Sequence, residues 1–336
     1  METSVFRTQF LERLLAAKQM MAETNKASVL FIIQIPNRNS YDLSLPITRE
    51  SLSNVICFVE IGDESQIDFI IKNSIGIVDK IVLDIDYKRA NSSAIIEKVR
   101  AQSSIPVLEY SDIKMWADSS VDFLLQNEGL NESLSVLLLG MNCLTTHILQ
   151  DLLMRNVDVY MLSSDYNKGF ALDDNVKVSI CSSRLHQVEN EKKFDVIIGS
   201  NLKEEYDCSL LEGISAHSLY DIGLQNFSQE YILSQMSKGV EVYRFDNRAA
   251  VSSVVLNLME TDELVHNVMG RTTIANIHLV SGGLMGKKGE VVVDHIRTPH
   301  SVLGIADGHG AFVHDCEYTE TERANILQIS KLIDRK

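Results

Sequence analysis

The sequence contains no cluster of cysteines, no run of positive charge and no long apolar stretch. Its five cysteines (Cys57, Cys143, Cys181, Cys208 and Cys316) are odd in number, widely scattered and form no CxxC pair. That pattern argues against a disulfide framework or a zinc ribbon and fits reduced thiols in a cytoplasmic protein. Lys and Arg number 31 against 46 Asp and Glu, a net charge of −15. Phosphate backbones and anionic membranes both require clustered positive charge, so neither nucleic acid nor a membrane is expected as a partner. The pair Lys287-Lys288 is too short to reverse this. Apolar runs such as 136–139 stop far short of the roughly 20 residues of a membrane span. The opening METSVFRTQFLERLL has no basic stretch leading into an apolar one, so no secretory signal is expected.

What is present is ordinary globular composition, 45% hydrophobic and 23% charged, over 336 residues. That length favours two domains with a possible small appendage. Glycine is sparse until late: seven of the 17 glycines fall within 282–310, and five of the nine histidines within 278–314. The last quarter therefore differs in kind from the rest. Before it, short β-rich apolar runs alternate with helical patterns, the signature of βαβ units and parallel sheets.

Residues 1–26 read as a helix, with Phe6, Phe10, Leu11, Leu14 and Leu15 at helical spacing. Four nearly continuous apolar runs follow, at 29–35, 55–61, 81–85 and 105–108, which suit strands buried on both faces. Helices are predicted at 64–74 and 92–102, and a third from Ser111 or Asp112, either of which could cap it. The polar stretch 126–135 reads as a linker. In the second half, 135–139, 157–162, 176–181, 194–198, 218–222 and 240–245 read as six strands, with helices in most gaps. That is the pattern of a doubly wound, Rossmann-like parallel sheet.

Beyond it, 249–259 and 262–269 read as one long or two broken helices. Residues 274–280 and 291–296 are predicted to pair as a hairpin across the Gly-rich loop SGGLMGKKGE, which suits a mobile flap more than a phosphate cradle. Strands at 302–306 and 311–313 follow. Thr319 and Glu322 form a capping-box signature for a closing helix that runs to Ile333. The expected organisation is α/β throughout. An N-terminal α/β substrate domain spans 1–130 and a Rossmann-like nucleotide domain 131–270. A β-hairpin-rich segment with a final helix spans 271–336.

The turn after the strand at 135–139 is Gly140-Met141-Asn142-Cys143-Leu144-Thr145, where a GxGxxG/A dinucleotide fingerprint would sit. Gly140 can make the tight turn. Asn142 replaces the second glycine, although asparagine tolerates unusual backbone angles and its amide could donate to a phosphate. Thr145 takes the third position, where a small residue lets helix and strand pack. After the next strand, Ser163, Ser164 and Asp165 would contact the adenosine ribose. The serines, with Lys168, lean towards a 2′-phosphate and Asp165 away from one, so NAD and NADP both stay open. The alternative is a tight turn in a fold that has lost its cofactor.

With Gly140, this strand order, Ser200-Asn201 and Asp221-Ile222-Gly223, the chain resembles the broad group of two-domain NAD(P)-dependent dehydrogenases. These include the shikimate-dehydrogenase-like and amino-acid-dehydrogenase-like enzymes, and the resemblance covers the layout of residues 27–260. It implies a substrate cleft between the two domains, facing the nicotinamide.

Ligands of open α/β sheets bind at the carboxyl ends of the strands. Ser200 and Asn201 could line the nicotinamide ribose, or cap a turn. Asp221 is a candidate for proton transfer or for capping the next helix. Arg248, near a helix start, could clamp a carboxylate or pair with an aspartate. In the first domain Arg38 and Tyr41 are candidates for anion binding and proton donation, if their loop is not simply exposed. Asp84 and Asp86 share a strand face and could form an acid–base pair or a solvated strand end. Among the late histidines, His300 or His295 could act as general acid–base. His, Asp and Cys crowd together there without a defensible ligand spacing, so no metal is expected. Together these residues point to an NAD(P)-dependent oxidoreductase of a small anionic metabolite, an amino or hydroxy acid. The substrate carboxylate would sit on Arg38 or Arg248, with His300, Asp221 or Tyr41 moving the proton. The alternative is a non-catalytic Rossmann-like ligand-binding or assembly subunit. The apolar-faced segments 1–26 and 249–269 suit either core burial or a homodimer.

Overall fold

The computed structural model describes residues 3–35, 43–51, 53–129, 134–140, 142–162, 179–181, 193–201, 205–223, 225–245 and 248–334. They form two compact units, Met1–Val255 and Leu256–Lys336.

The first unit opens with helix α1 (Thr3–Thr24), which lays Phe6, Phe10, Leu14 and Ala17 on a six-stranded sheet. Its strands are β1 (Ala27–Gln34), β2 (Leu43–Ser44), β3 (Arg49–Glu50), β4 (Asn54–Ile61), β5 (Lys80–Asp84) and β6 (Val107–Tyr110), in the order β2-β4-β1-β5-β6. β4, β1, β5 and β6 are parallel, while β2 and β3 both run antiparallel against β4. The four apolar runs therefore are the four parallel strands. β2 and β3 hold two residues each, too short for any periodicity to register. Helices α2 (Ile67–Ser74) and α3 (Ser92–Gln102) add Ile67, Ile70, Ile71, Ile95, Ile96 and Val99 to the same core as α1. On the other face of β1, Phe31 packs against Phe58 and Tyr110 at ring distances of 5.6 and 4.6 Å.

Helix α4 (Asp112–Glu128) begins at Ser111, whose hydroxyl accepts from the Lys114 N–H. Its body belongs to the second sheet, packing Ala117, Val121, Leu124 and Leu125 with Ile148, Leu149 and Leu152 of α5 (Cys143–Met154). At its far end Glu128 accepts from Ser218 and Tyr220, both at 2.6 Å. The second sheet comprises β7 (Ser135–Leu139), β8 (Asp158–Leu162), β9 (Ser179–Cys181), β10 (Lys193–Gly199), β11 (Ser215–Asp221) and β12 (Glu241–Arg244). Its order is β12-β11-β10-β7-β8-β9, with every pairing parallel. Numbered from its own first strand this is 3-2-1-4-5-6, the doubly wound dinucleotide-binding order. Apolar cores cover both faces, as such a sheet requires. Helices α6 (Gln229–Ser237) and α7 (Arg248–Glu263) complete the pattern, and the boundary between the two units falls within α7.

The second unit continues from α7 through a π-helical turn, Leu264–Val268. A four-stranded sheet follows, in the order β13 (Gly270–Ile274), β14 (Ile277–Ser281), β15 (Val291–Val293), β16 (Val302–Ile305). Here the expected hairpin is corrected. The tight turn is Ala275-Asn276, both at positive φ (51° and 67°), and it joins β13 to β14 inside the stretch read as one strand. β14 and β15 then pair in parallel, so the Gly-rich loop is a return connection and not a hairpin turn. That loop is also tied down. Arg271 pairs with buried Glu290 at 2.8 Å and donates to the Met285 carbonyl at 3.0 Å, while Glu290 accepts from the Lys287 N–H at 2.8 Å. Helix α8 (Glu320–Ile333) closes the chain with the Thr319/Glu322 capping box formed in both directions. Among the described residues, no helix is long and apolar enough to cross a membrane.

Candidate functional site at the strand ends

The doubly wound order places a crevice between β7 and β10, where the strand sequence reverses. β7 ends in Gly140 at φ +107°, a conformation costly for any side chain. A Cβ there would lie 3.4 Å from the Asn201 nitrogen and 3.5 Å from the Thr145 hydroxyl, ordinary contacts, so backbone angle and not space is what calls for glycine. Asn142 has ordinary extended angles (φ −150°, ψ −177°) and needs no special backbone tolerance. It is the N-cap of α5: its Oδ1 accepts from the Thr145 N–H at 3.1 Å, and its Nδ2 donates to the Ser200 carbonyl at 2.8 Å. Thr145 and Ser200 exchange a hydroxyl hydrogen bond at 2.8 Å, and the Ser200 hydroxyl donates to the Leu139 carbonyl at 2.9 Å. Asn142, Thr145 and Ser200 thus form one neutral hydrogen-bonded knot across the floor of the crevice, beside Gly140.

One strand further along, Asp221 is buried at the end of β11. Its carboxylate accepts from the Asn226 N–H at 3.1 Å and from the Asn226 side-chain amide at 2.8 Å. Asn226, itself fully buried, accepts the Asn201 N–H at 2.6 Å. This triad folds the loop after β11 over the end of β10. Gly199 and Gly223 make the close approach possible: a Cβ on Gly199 would lie 2.7 Å from the Asn226 Cβ, and one on Gly223 2.2 Å from the Asn201 carbonyl. Asn226 was not singled out in the sequence.

The carboxyl ends of the first sheet are built differently. Asp84, at the end of β5, is fully buried and lies 2.7 Å from the Lys88 ammonium. Lys88 also reaches Asp112, at 2.5 Å, and Asp112 accepts from the Tyr110 hydroxyl at 3.2 Å. The Gln34 and Asp86 N–H groups each donate to Asp84 at 3.0 Å. Burial pushes the Asp84 carboxyl up to about 6, because Lys88 must be shared with Asp112. Burial alone would lower Lys88, but Asp112 and Asp84 together hold it above its ordinary value. Glu60 is raised too, by burial against a weaker bond from Ser44. Asp86 caps α4 instead, accepting from the Ser111 hydroxyl at 2.8 Å and the Ile113 N–H at 2.6 Å. Asp84 and Asp86 are therefore neither a mutual acid–base pair nor a solvated strand end. Lys88 was missed because its partners are supplied by the fold.

Arg38, Tyr41, Ser163, Ser164 and Asp165 lie outside the described residues, and of Arg248 only the backbone, at the start of α7, is described. His300 is exposed in the second unit, with its N–H donated to Asp294 at 2.9 Å. His295, 6.5 Å away between ring centres, accepts from the Arg297 and Thr298 N–H groups at 3.2 and 3.1 Å. Among the described residues no group of three His, Cys, Asp or Glu side chains is placed to hold a metal ion.

No protein-family model and no curated protein matches the chain. Solved structures do resemble it. The hetero-hexameric glutamate dehydrogenase of Thermus thermophilus is 10% identical, at a TM-score of 0.40, over 71% of this chain and 68% of that one. L-tryptophan dehydrogenase of Nostoc punctiforme is 10% identical, at 0.40, over 70% and 74%. The catalytic subunit of M. jannaschii aspartate transcarbamoylase is 11% identical, at 0.37, over 78% and 97%. The fold assignment rests on the strand order above, and nothing about activity is taken from these likenesses.

Proposed function

We propose that the chain is an NAD(P)-dependent oxidoreductase acting on a small anionic metabolite, an amino or hydroxy acid, in a cytoplasmic setting. The observation that carries the proposal is Gly140, at φ +107°, opening the β7–α5 turn at the reversal of a 3-2-1-4-5-6 sheet. Its positive φ is a conformation that a side chain would strain. The N-terminus of α5 supplies N–H donors and a favourable partial charge. Asn142 already takes the Thr145 N–H, so a diphosphate would rest on the Cys143 and Leu144 N–H groups. Ser163, Ser164 and Asp165 would hold the adenosine ribose, while Ser200 and Asn201 line the nicotinamide side. When bound, the nicotinamide supplies the hydride chemistry. Lys88 is shared by two carboxylates and does not serve as an anion clamp. That duty stays with Arg38 or Arg248, and proton movement with Tyr41 or Asp221. For Asp221 to act, its bonds from Asn226 must open.

The test is equilibrium titration with NADH and NADPH by fluorescence and calorimetry. Saturable binding of either is expected; no binding at millimolar concentration overturns the proposal. One observation favours a second reading, a ligand-binding or assembly subunit that has lost its cofactor. Asn142 is bonded on both its oxygen and its nitrogen, closing part of the approach a diphosphate would use.

A further inference from the structure

Helix α8 has two apolar faces. Ile326, Ile329 and Ile333 point inward and join the core of the second unit. On the opposite side Leu327 is 58% exposed, on the outer surface of the helix with Ala324, Gln328, Lys331 and Leu332. Glu320, Ala324, Leu327 and Lys331 are spaced i, i+4, i+7 and i+11. They fall within about 60° of one another around the helix, and the stripe runs for about 17 Å. It reads, in order, acidic, small, large, basic. Glu320 and Lys331 are too far apart along α8 to pair with each other. The charges alone also suit the helix dipole. The dipole does not account for their alignment with Ala324 and Leu327 on one line, opposite the buried face.

We propose that this stripe is a self-association surface, on which α8 of a second copy of the chain packs antiparallel about a twofold axis between Ala324 and Leu327. An antiparallel copy of the sequence acidic, small, large, basic is its own complement. Each Leu327 fills the space over the partner copy's alanine, and each Glu320 meets the partner copy's lysine, twice over by symmetry. The alanine lets the helices approach at the crossing, and the antiparallel helix dipoles add attraction. One helix pair buries less than the roughly 1,200 Å² of a standard stable interface, so the dimer is weak and salt-sensitive.

Sedimentation velocity on the full chain tests this, across concentrations from low micromolar to near-millimolar. A reversible monomer–dimer equilibrium is expected, weakened by added salt and abolished by Leu327→Lys. Glu320→Lys alone and Lys331→Glu alone each place like charges opposite one another, and each weakens association about fivefold. Mixed together, the two single variants restore both ion pairs, so the mixture associates at least as well as the parent chain. Recovery on mixing also requires both variants to be folded. A chain monomeric at every concentration overturns the proposal, as does a dimer that survives Leu327→Lys or a mixture no tighter than its components.

Discussion

The two sheets of the first unit close the carboxyl ends of their parallel strands with different chemistry. The first sheet uses charge: one ammonium, Lys88, is buried between Asp84 and Asp112 at 2.7 and 2.5 Å. At β7 and β10 the second uses neutral groups: an amide and two hydroxyls join β7, β10 and α5 at 2.8–3.1 Å, and its one described carboxylate there, Asp221, is one strand away and bonded by Asn226. The difference matters in a chain of net charge −15. An anionic ligand approaching the second sheet meets a knot without a carboxylate of its own, and a helix N-terminus behind it. At the first sheet the excess of carboxylate over ammonium opposes an anion. Charge there fixes architecture, because Asp112 and Asp86 tie the start of α4 to the ends of β5 and β6.

Removing the shared charge should break the contrast most sharply. Lys88→Met leaves two buried carboxylates without a cation, and loss of one partner of a buried ion pair costs about 3–5 kcal/mol. Denaturant unfolding should show that loss. A variant that also carries Asp84→Asn should recover part of it, because only one carboxylate then stays unpaired. If Lys88→Met unfolds like the parent chain, the cluster is not the anchor described here.

The same cluster sets a pH dependence. Asp84 titrates near 6 in the folded chain, against an ordinary 3.8, because it is buried and shares Lys88 with Asp112. Between about pH 4 and 6 the folded state keeps a proton that the unfolded chain has lost, so stability should fall as pH rises through that window. Lys88 acts at the other end. Its raised value holds its contribution through ordinary alkaline pH, and that contribution is lost only as pH climbs past the folded value. Melting temperature against pH should carry a falling slope between 4 and 6 that Asp84→Asn removes. An unchanged slope in that variant would assign it to other groups.

Glycine substitutions sharpen the comparison at a smaller scale. Gly199→Ala in the second sheet would drive a methyl to 2.7 Å of the Asn226 Cβ and 2.8 Å of the Phe227 ring, both buried. Overpacking of that kind costs about 1–3 kcal/mol. Gly62→Ala, at the end of β4, meets the end of the flexible Arg89 side chain at 1.9 Å, which can swing aside more cheaply. Thermal melts should therefore rank Gly199→Ala well below Gly62→Ala. The reverse order would mean that the loop holding Asn226 yields more readily than Arg89.

Elements were legible where local pattern and tertiary role coincide. The apolar runs around Val29, Val55 and Ile81 became parallel strands because burial on both faces leaves no room for polar alternation. Thr319 and Glu322 announced α8 because a capping box is local by nature. The failures have both local and non-local causes. Ala275-Asn276 lacks the Asn-Gly or Asp-Gly that marks a two-residue hairpin, so β13 was invisible, and β14 was given its true neighbour β15 but in antiparallel instead of parallel orientation. Asp84 looked like a strand end facing water because Lys88 and Asp112 reach it only once β5, β6 and α4 are assembled. Asn142 was read as a substitute glycine, although asparagine opening a helix three residues before its N3 donor is also a cap signal.

Asn142 also gives the smallest and most informative substitution. Replacing an N-cap asparagine with glycine costs only a few tenths of a kcal/mol in capping, because glycine itself caps acceptably. Losing the bond to the Ser200 carbonyl adds about 1 kcal/mol at most. Asn142→Gly should therefore stay folded, with a melting temperature only slightly lowered. The same change frees the Thr145 N–H and removes the side chain lying across the crevice floor. If the knot is a dinucleotide site carrying one extra cap, calorimetry should find NADH or NADPH bound more tightly in the variant, by about tenfold if the recovered donor is worth one charge-assisted hydrogen bond. If neither nucleotide binds the parent or the variant, the neutral knot is as architectural as the charged cluster of the first sheet. The two strand ends would then differ in chemistry but not in purpose.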